Sequence, residues 1–427
     1  MNSLEDSLFN LKAASRKLTS LSTDRRNAVL TGLADRLISS EREILEANEN
    51  DLKCLDQSTS AAFRDRLTLN TQRIHAMAAS LRAVAALPDP IGEVVDSRTL
   101  PNGLNTQRIR SPLGTLLMIF EARPNVITEV FALAFKTGNG IALRGGSESK
   151  ATAATLYQII AKEIEASGLT PSPFVPITNY DRTLVGELLK RADLFDVCIP
   201  RGGDSLIERV SREAKMPVIK NDRGLCHLYI HTEAILSMAI KIAVNAKTQR
   251  PSVCNAIETC LIDRAIAEQT LRELLPAMAP HHVRLHCCND SYHLAQQIAR
   301  TDGTESTWAT GLKRASETDF NTEYLDLDLN IKIVDNVEAA LRHIERFGSH
   351  HSEAIITENK AIARQFQREV DAACTYWNAS TRFTDGFELG LGGEIGISTQ
   401  KLHVRGPVGL KELMSIRWLI DGTGQIR

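Results

Sequence analysis

The stretch NAKTQRPSVCNAIE, residues 245 to 258, sets a cysteine behind Lys247, Arg250 and Pro251 and directly before Asn255. A thiol attacks as its thiolate, and nearby cations or the amide groups of a helix start favour that form. Pro251 is well placed to open a new helical turn, which makes Cys254 a candidate nucleophile; the alternative is a small apolar residue buried at a helix start. Two Arg-Gly-Gly turns, Arg144-Gly145-Gly146 and Arg201-Gly202-Gly203, each follow a strand-like run and precede a helical one. Glycine there lets a ligand approach the backbone, and a helix N-terminus favours phosphate, although a glycine after a strand also serves as a plain turn. A Gly-x-Gly-x-x-Gly fingerprint is missing from the start of the sheet. A third junction, FEARPNVI, contributes Glu121, Arg123 and Asn125. The Asn125 carboxamide can face a developing oxyanion or cap the helix that follows.

The elements that must position these residues are legible in the rhythm of apolar positions. Residues 5 to 90 carry apolar residues at three and four spacing, as a set of helices would. DSRTLPNGLNTQRIRSPLG, about 95 to 113, holds a Pro-Asn-Gly turn between strand-length segments and predicts a projecting hairpin. Beyond it TLLMIF, GIALRGG, PFVPITN and FDVCIPRGG alternate with helical stretches. That alternation predicts a parallel sheet covered on both faces, with ligands at the carboxyl ends of its strands. A second alternating stretch from about residue 235 predicts a second α/β domain, and the glycine-rich tail is expected to return to the first and end in an exposed strand. The expected divisions are 1–234, 235–376 and 377–427.

The 50 basic and 52 acidic residues nearly cancel and are interspersed, so the chain has no field to gather nucleic acid or anionic membrane. A small molecule is the expected partner. No apolar window approaches a membrane span, and the N-terminal stripe Leu4, Leu8, Leu11 and Leu18, broken by Glu5 and Asp6, does not read as a signal peptide. The 8 cysteines make neither a zinc motif nor a disulfide scaffold. A reducing cytoplasm, and no metal, are expected.

Taken together, AASRKLTSLST, ILEANENDL, AALPDPIGEV, FEARPNV, LRGGSE, KTQRPSVCNAIET, EYLDLDLNIKIV, NASTRFTDG and GEIGISTQKLHVRGPVGL resemble the gamma-glutamyl phosphate reductase family, a branch of the aldehyde dehydrogenase superfamily, nearly end to end. The resemblance implies an aldehyde-dehydrogenase-like α/β fold: two Rossmann-like parallel-sheet domains, one for a dinucleotide and one bearing the cysteine, plus a small β oligomerisation element. It implies reduction of L-glutamate 5-phosphate to L-glutamate 5-semialdehyde with NADPH, through a thioester on Cys254, with Asn125 and the Cys254 amide serving the oxyanion. It places Arg144, Ser147 and Glu148 at the adenine ribose, Gly202 and Gly203 at the pyrophosphate, and Glu323 at the nicotinamide ribose; the bland alternatives are a solvated Arg144 and a Glu323 that caps or pairs. Ser380, Thr381 and Arg382 stand where relatives with acidic substrates anchor a carboxylate, and Arg123 and Arg250 are placed to meet the leaving phosphate. A homo-oligomer is implied. The chain contains no amino-acid kinase segment, so the acyl phosphate is expected from a separate glutamate 5-kinase, in a transient complex.

A hydrolytic aldehyde dehydrogenase would share the fold and Cys254 but need a base to activate water. Asn221 occupies that base's place in the alignment with the superfamily, and an amide cannot accept the proton; Asp222 is its neighbour, and Glu258 would lie one turn from Cys254 if that segment were helical. A non-catalytic scaffold is the third reading, disfavoured by Cys254, Asn125 and the glycine turns. Asp328, in YLDLDLNIKIV, stands where the family pattern has an apolar residue.

Overall fold

The computed structural model describes residues 4–121, 123–169, 172–221, 223–301 and 308–427. The chain divides into two compact units, Met1–Asn221 with Gly390–Arg427, and Asp222–Leu389.

The first unit opens with five helices: α1 (Leu4–Leu18), α2 (Thr23–Ser39), α3 (Glu41–Lys53), α4 (Ala61–Leu67) and α5 (Thr71–Ala86). The expected hairpin follows as β1 (Val94–Thr99) and β2 (Asn105–Pro112), turning through Gly103, whose positive φ of 85° favours glycine. Then come β3 (Thr115–Phe120), α6 (Asn125–Lys136), β4 (Gly140–Arg144), α7 (Lys150–Ala166), β5 (Phe174–Pro176), α8 (Arg182–Leu188), β6 (Val197–Arg201) and α9 (Asp204–Glu213). The four strands β3 to β6 form a parallel sheet in the order β5-β4-β3-β6. The uninterrupted apolar run of β3 is explained by its two faces: Leu116, Met118 and Phe120 join the core under α2, α5, α6 and α7, while Leu117 and Ile119 join the core with Leu8 of α1, Val185 of α8 and Val210 of α9.

The second unit is β7 (Cys226–Ile230), α10 (Leu236–Thr248), β8 (Ile257–Asp263), α11 (Ala267–Met278), β9 (Arg284–Cys287), α12 (Asn289–Thr301), β10 (Leu312–Arg314), α13 (Glu317–Phe320), β11 (Asp328–Val334), α14 (Val337–Phe347), β12 (Ser352–Ile356), α15 (Lys360–Glu369) and β13 (Cys374–Trp377). These strands make one parallel sheet in the order β10-β9-β11-β8-β7-β12-β13. It too is covered twice, by α10, α11 and α12 on one face and by α14 and α15 on the other.

Two expected boundaries move. The division at residue 234 would assign β7 to the first unit, but β7 bonds to β8 and β12 inside the second sheet, so the division falls at Asn221 and Asp222. The return expected at 377 comes at Gly390, because residues 380 to 384 stay bonded to the second unit. The tail then supplies β14 (Ile397–Ser398), β15 (Gly406–Pro407) and β16 (Met414–Asp421). β16 pairs antiparallel along the whole of β2, giving a sheet of order β1-β2-β16 whose last strand is exposed from Ser415 onward. Among the described residues no helix is long and apolar enough to cross a membrane.

Candidate active site

Cys254 lies in the connection from α10 to β8, half-buried, at the amino edge of the second sheet. The expected helical turn after Pro251 is not formed: residues 251 to 256 are turns and bends that run straight into β8. Their conformation is held from outside. The Cys226 thiol, at the start of β7, donates to the Cys254 carbonyl (3.2 Å) and lies 3.6 Å from His351 Nδ1. Burial pushes the Cys226 pKa well above the usual thiol value, which keeps it a donor. Gly224 passes so close that an added Cβ would overlap the Cys254 carbonyl, and the Gly224 N–H donates to the Glu323 carboxylate (2.8 Å).

Asn255 is buried and fixed at three points. Its Nδ2 donates to the Thr384 carbonyl (2.8 Å), its carbonyl accepts from the Thr381 hydroxyl (2.6 Å), and its Oδ1 accepts from Arg382 Nη1. Arg382 Nε also donates to Gln249 Oε1 (2.8 Å). Burial, and next the charge of Arg250, push the Arg382 pKa down; Arg250 itself is exposed. Thr381 is fully buried with its hydroxyl committed to Asn255, and Ser380 is buried and accepts from the Arg382 N–H (3.3 Å). Of the three residues expected to anchor a carboxylate, Thr381 and Arg382 therefore hold the turn that carries Cys254, while Ser380 supports Arg382.

Glu258 is not a turn away from Cys254. It is the second residue of β8, fully buried, with Oε2 bonded to Lys247 Nζ at 2.8 Å and Oε1 accepting from the Leu325 N–H at 3.3 Å. Burial pushes its carboxyl pKa up and Lys247 pulls it back. Its place is a buried ion pair tying the end of α10 to the start of β8. Asn221 donates to the Pro200 carbonyl (3.3 Å) and packs against Gly396; Asp222 lies outside the described residues.

In the first unit the candidates gather at the carboxyl edge of the sheet. Asn125 is exposed and opens α6, but the residue in the capping position is Pro124 and no side chain caps the helix, so the capping alternative falls. Arg123 is half-buried just before it. Arg144, at the end of β4, is not the solvated residue of the bland alternative: it is 9% exposed, Nη2 donates to the Tyr180 carbonyl (2.8 Å), and burial pushes its pKa down. Its buried Nε has no partner among the described residues. Ser147 is exposed and Glu148 half-buried in the short turn that leads into α7. Gly202 and Gly203 are exposed at the end of β6. A Cβ on Gly202 would press on Glu121 and Leu206, whereas one on Gly203 would meet nothing nearer than Glu121 at 4.0 Å. Gly203 opens α9 without a side-chain cap; its own N–H donates to Glu121 Oε2 (3.0 Å), and the amides of the first turn beyond it are of the kind that receive phosphate. This edge fits a dinucleotide: an open glycine step, an uncapped helix start and a buried cation with an unused donor.

Sequence reasoning missed Gly224, Cys226 and Gln249. Gly224 in NDRGLCHLYI, just before the strand Cys226–Ile230, is the one signal that pointed to a close approach. Among the described residues no group of three or more His, Cys, Asp or Glu is placed to hold a metal ion.

No family model matches the chain. It is similar to the gamma-glutamyl phosphate reductase of Moorella thermoacetica, 46% identical over 417 residues, covering 97% of this chain and 96% of that one. The crystal structure of the gamma-glutamyl phosphate reductase of Thermotoga maritima matches with a TM-score of 0.91 at 38% identity, over 100% of both chains. An acetylating aldehyde dehydrogenase from Geobacillus thermoglucosidasius shares the fold, with a TM-score of 0.71 at 17% identity over 99% of this chain and 97% of that one.

Proposed function

The chain belongs to the gamma-glutamyl phosphate reductase family, and from that premise we propose that it reduces L-glutamate 5-phosphate to L-glutamate 5-semialdehyde in proline biosynthesis, by covalent catalysis on Cys254. The observation that carries the reading is the bed of that cysteine: a half-exposed thiol on a turn whose main chain is fixed by Cys226, Gly224 and Thr381. The Cys254 thiolate attacks the acyl carbon; the C–S bond forms as the bond from carbonyl carbon to phosphate oxygen breaks, and inorganic phosphate leaves. Arg123 and Arg250 receive that phosphate, and Arg382 adds charge for the substrate carboxylate. NADPH, when bound, supplies the hydride that reduces the thioester. Asn125 and the Cys254 N–H donate to the oxyanion of the resulting hemithioacetal. Its collapse breaks the C–S bond, releases the aldehyde and restores the thiolate.

Gly202, Gly203, Ser147, Glu148 and Glu323 hold the cofactor in this reading, and Arg144 receives the 2′-phosphate that separates NADPH from NADH. The enzyme works in the cytoplasm as a homo-oligomer built through the β1-β2-β16 sheet, whose last strand exposes Ile416, Trp418, Leu419 and Ile420. It takes its unstable substrate from glutamate 5-kinase in a transient complex. Glu258 is committed to Lys247, so the thioester is reserved for hydride or, in reverse, for phosphate.

The test is the reverse reaction. Oxidation of the semialdehyde with NADP is expected to require inorganic phosphate and to yield an acyl phosphate trappable with hydroxylamine. Steady NADPH formation at an undiminished rate in phosphate-free buffer, with free glutamate as product, would establish the hydrolytic reading instead.

A further inference from the structure

The turn that carries Cys254 has loose ends. Gln249 lies just past the last residue of α10 and is exposed, while Asn255 follows the thiol directly and is buried. One guanidinium spans both: Arg382 Nε donates to Gln249 Oε1 at 2.8 Å, and Nη1 donates to Asn255 Oδ1. The rest of Asn255 is already spoken for, by the Thr384 carbonyl and the Thr381 hydroxyl, so Oδ1 is the atom through which an outside group can fix it. A planar fork with donors at set angles can bridge two carboxamides in this way, whereas a lysine ammonium on its flexible stem cannot.

We propose that Arg382 is a positioning residue that staples the two ends of the nucleophile turn, with Gln249 and Asn255 as its two anchoring points. This goes beyond the role of Arg382 as a carboxylate anchor, and it rests on Cys254 being the nucleophile. The staple replaces the helical hydrogen bonds that the turn lacks. Misplacing a reacting atom by about 1 Å costs on the order of 100-fold in rate, so holding the thiol matters more to turnover than to substrate affinity.

Gln249→Ala provides the clean test, because it removes one anchor, changes no charge and alters an exposed side chain. It should lower kcat for phosphate-dependent oxidation of the semialdehyde about tenfold, leave KM for semialdehyde and phosphate unchanged, and leave the melting temperature unchanged. Arg382→Ala should lose more in kcat than in KM, and Arg382→Lys should fail to restore it. If Arg382 is only an anion anchor, Gln249→Ala is silent, Arg382→Ala raises KM alone and Arg382→Lys largely rescues; that pattern overturns the staple. Should Arg382→Ala fail to fold, Gln249→Ala decides alone. Peptide mass spectrometry after iodoacetamide inactivation separates the two levels: labelling of Cys254 in step with lost activity supports the nucleophile whatever the staple does, and full activity with Cys254 labelled removes both.

Discussion

The two sheets carry their candidate residues at opposite edges, and they build those edges differently. In the first unit the candidate residues follow strands β3, β4 and β6, where a parallel sheet ordinarily receives a ligand; the edge carries exposed glycines and uncapped helix starts, with one main-chain N–H, that of Gly203, taken by Glu121. In the second, Gly224, Cys254 and Glu323 precede strands β7, β8 and β11, and the edge is closed in by side chains bonded to main-chain atoms. An edge that receives a large ligand needs space and unused donors. An edge that is to carry the proposed nucleophile needs a fixed main chain, and around Cys254 that fixity comes from residues distant in sequence.

Cys254→Ser gives the largest expected effect. It should lower turnover by more than about 1,000-fold, since an alcohol at neutral pH is a far poorer nucleophile than a thiolate, while the melting temperature and NADPH binding stay as they are. Retention of a tenth of the activity would remove covalent catalysis from the second edge. An alanine pair sharpens the contrast next. Gly224→Ala forces a Cβ onto the Cys254 carbonyl and should cost about 1–3 kcal/mol of stability by overpacking, with a matching fall in kcat. Gly203→Ala adds a Cβ into open space at a φ of −71°; it should leave stability within about 0.5 kcal/mol and raise KM for NADPH. Equal thermal shifts in the two variants, read by calorimetry, would show that the edges are not built differently after all.

A milder substitution than Gly224→Ala tests whether the second edge is held as far out as β11. Asp328 accepts from Arg284 Nε (2.9 Å) and pairs with His286 Nε2 (2.8 Å), both on β9. Burial pushes its carboxyl pKa up, but Arg284 and His286 together leave it below the usual range. A depressed carboxylate contributes stability above its unfolded pKa and loses it as pH falls through the folded one. Asp328→Leu should therefore cost about 1–2 kcal/mol at pH 7, with the deficit shrinking below about pH 4, as thermal melts across that range would report. A deficit that grows on acidification would reverse the assignment.

Much of the architecture was legible from local pattern. TLLMIF is β3 residue for residue, and the Pro-Asn-Gly turn marks the hairpin, because both depend on neighbours in sequence. Asp328, out of keeping with the family's apolar residue, is explained only by β9, more than 40 residues earlier. The turn at Cys254 was misread for a related reason. Pro251 suits a helix start, but the groups that shape the turn come from Cys226, Thr381 and Arg382, over 100 residues away in the last two cases. Local propensity had nothing to weigh against them. The condition under which Glu258 would lie one turn from Cys254, a helical segment, is not met for the same reason, and β8 carries it to Lys247 instead.

The pairing of β16 with β2 sets a schedule for the ribosome. Met414 bonds opposite Pro112, so about 300 residues must be synthesised between the two strands, on the order of 15–60 s at roughly 5–20 residues per second. Throughout that interval β2 has β1 on one side and a bare row of amides and carbonyls on the other, a template open to any passing strand. The nascent chain is thus most prone to aggregate while the whole second unit is being made, and a holding chaperone would find its binding site on the unfinished edge of β2.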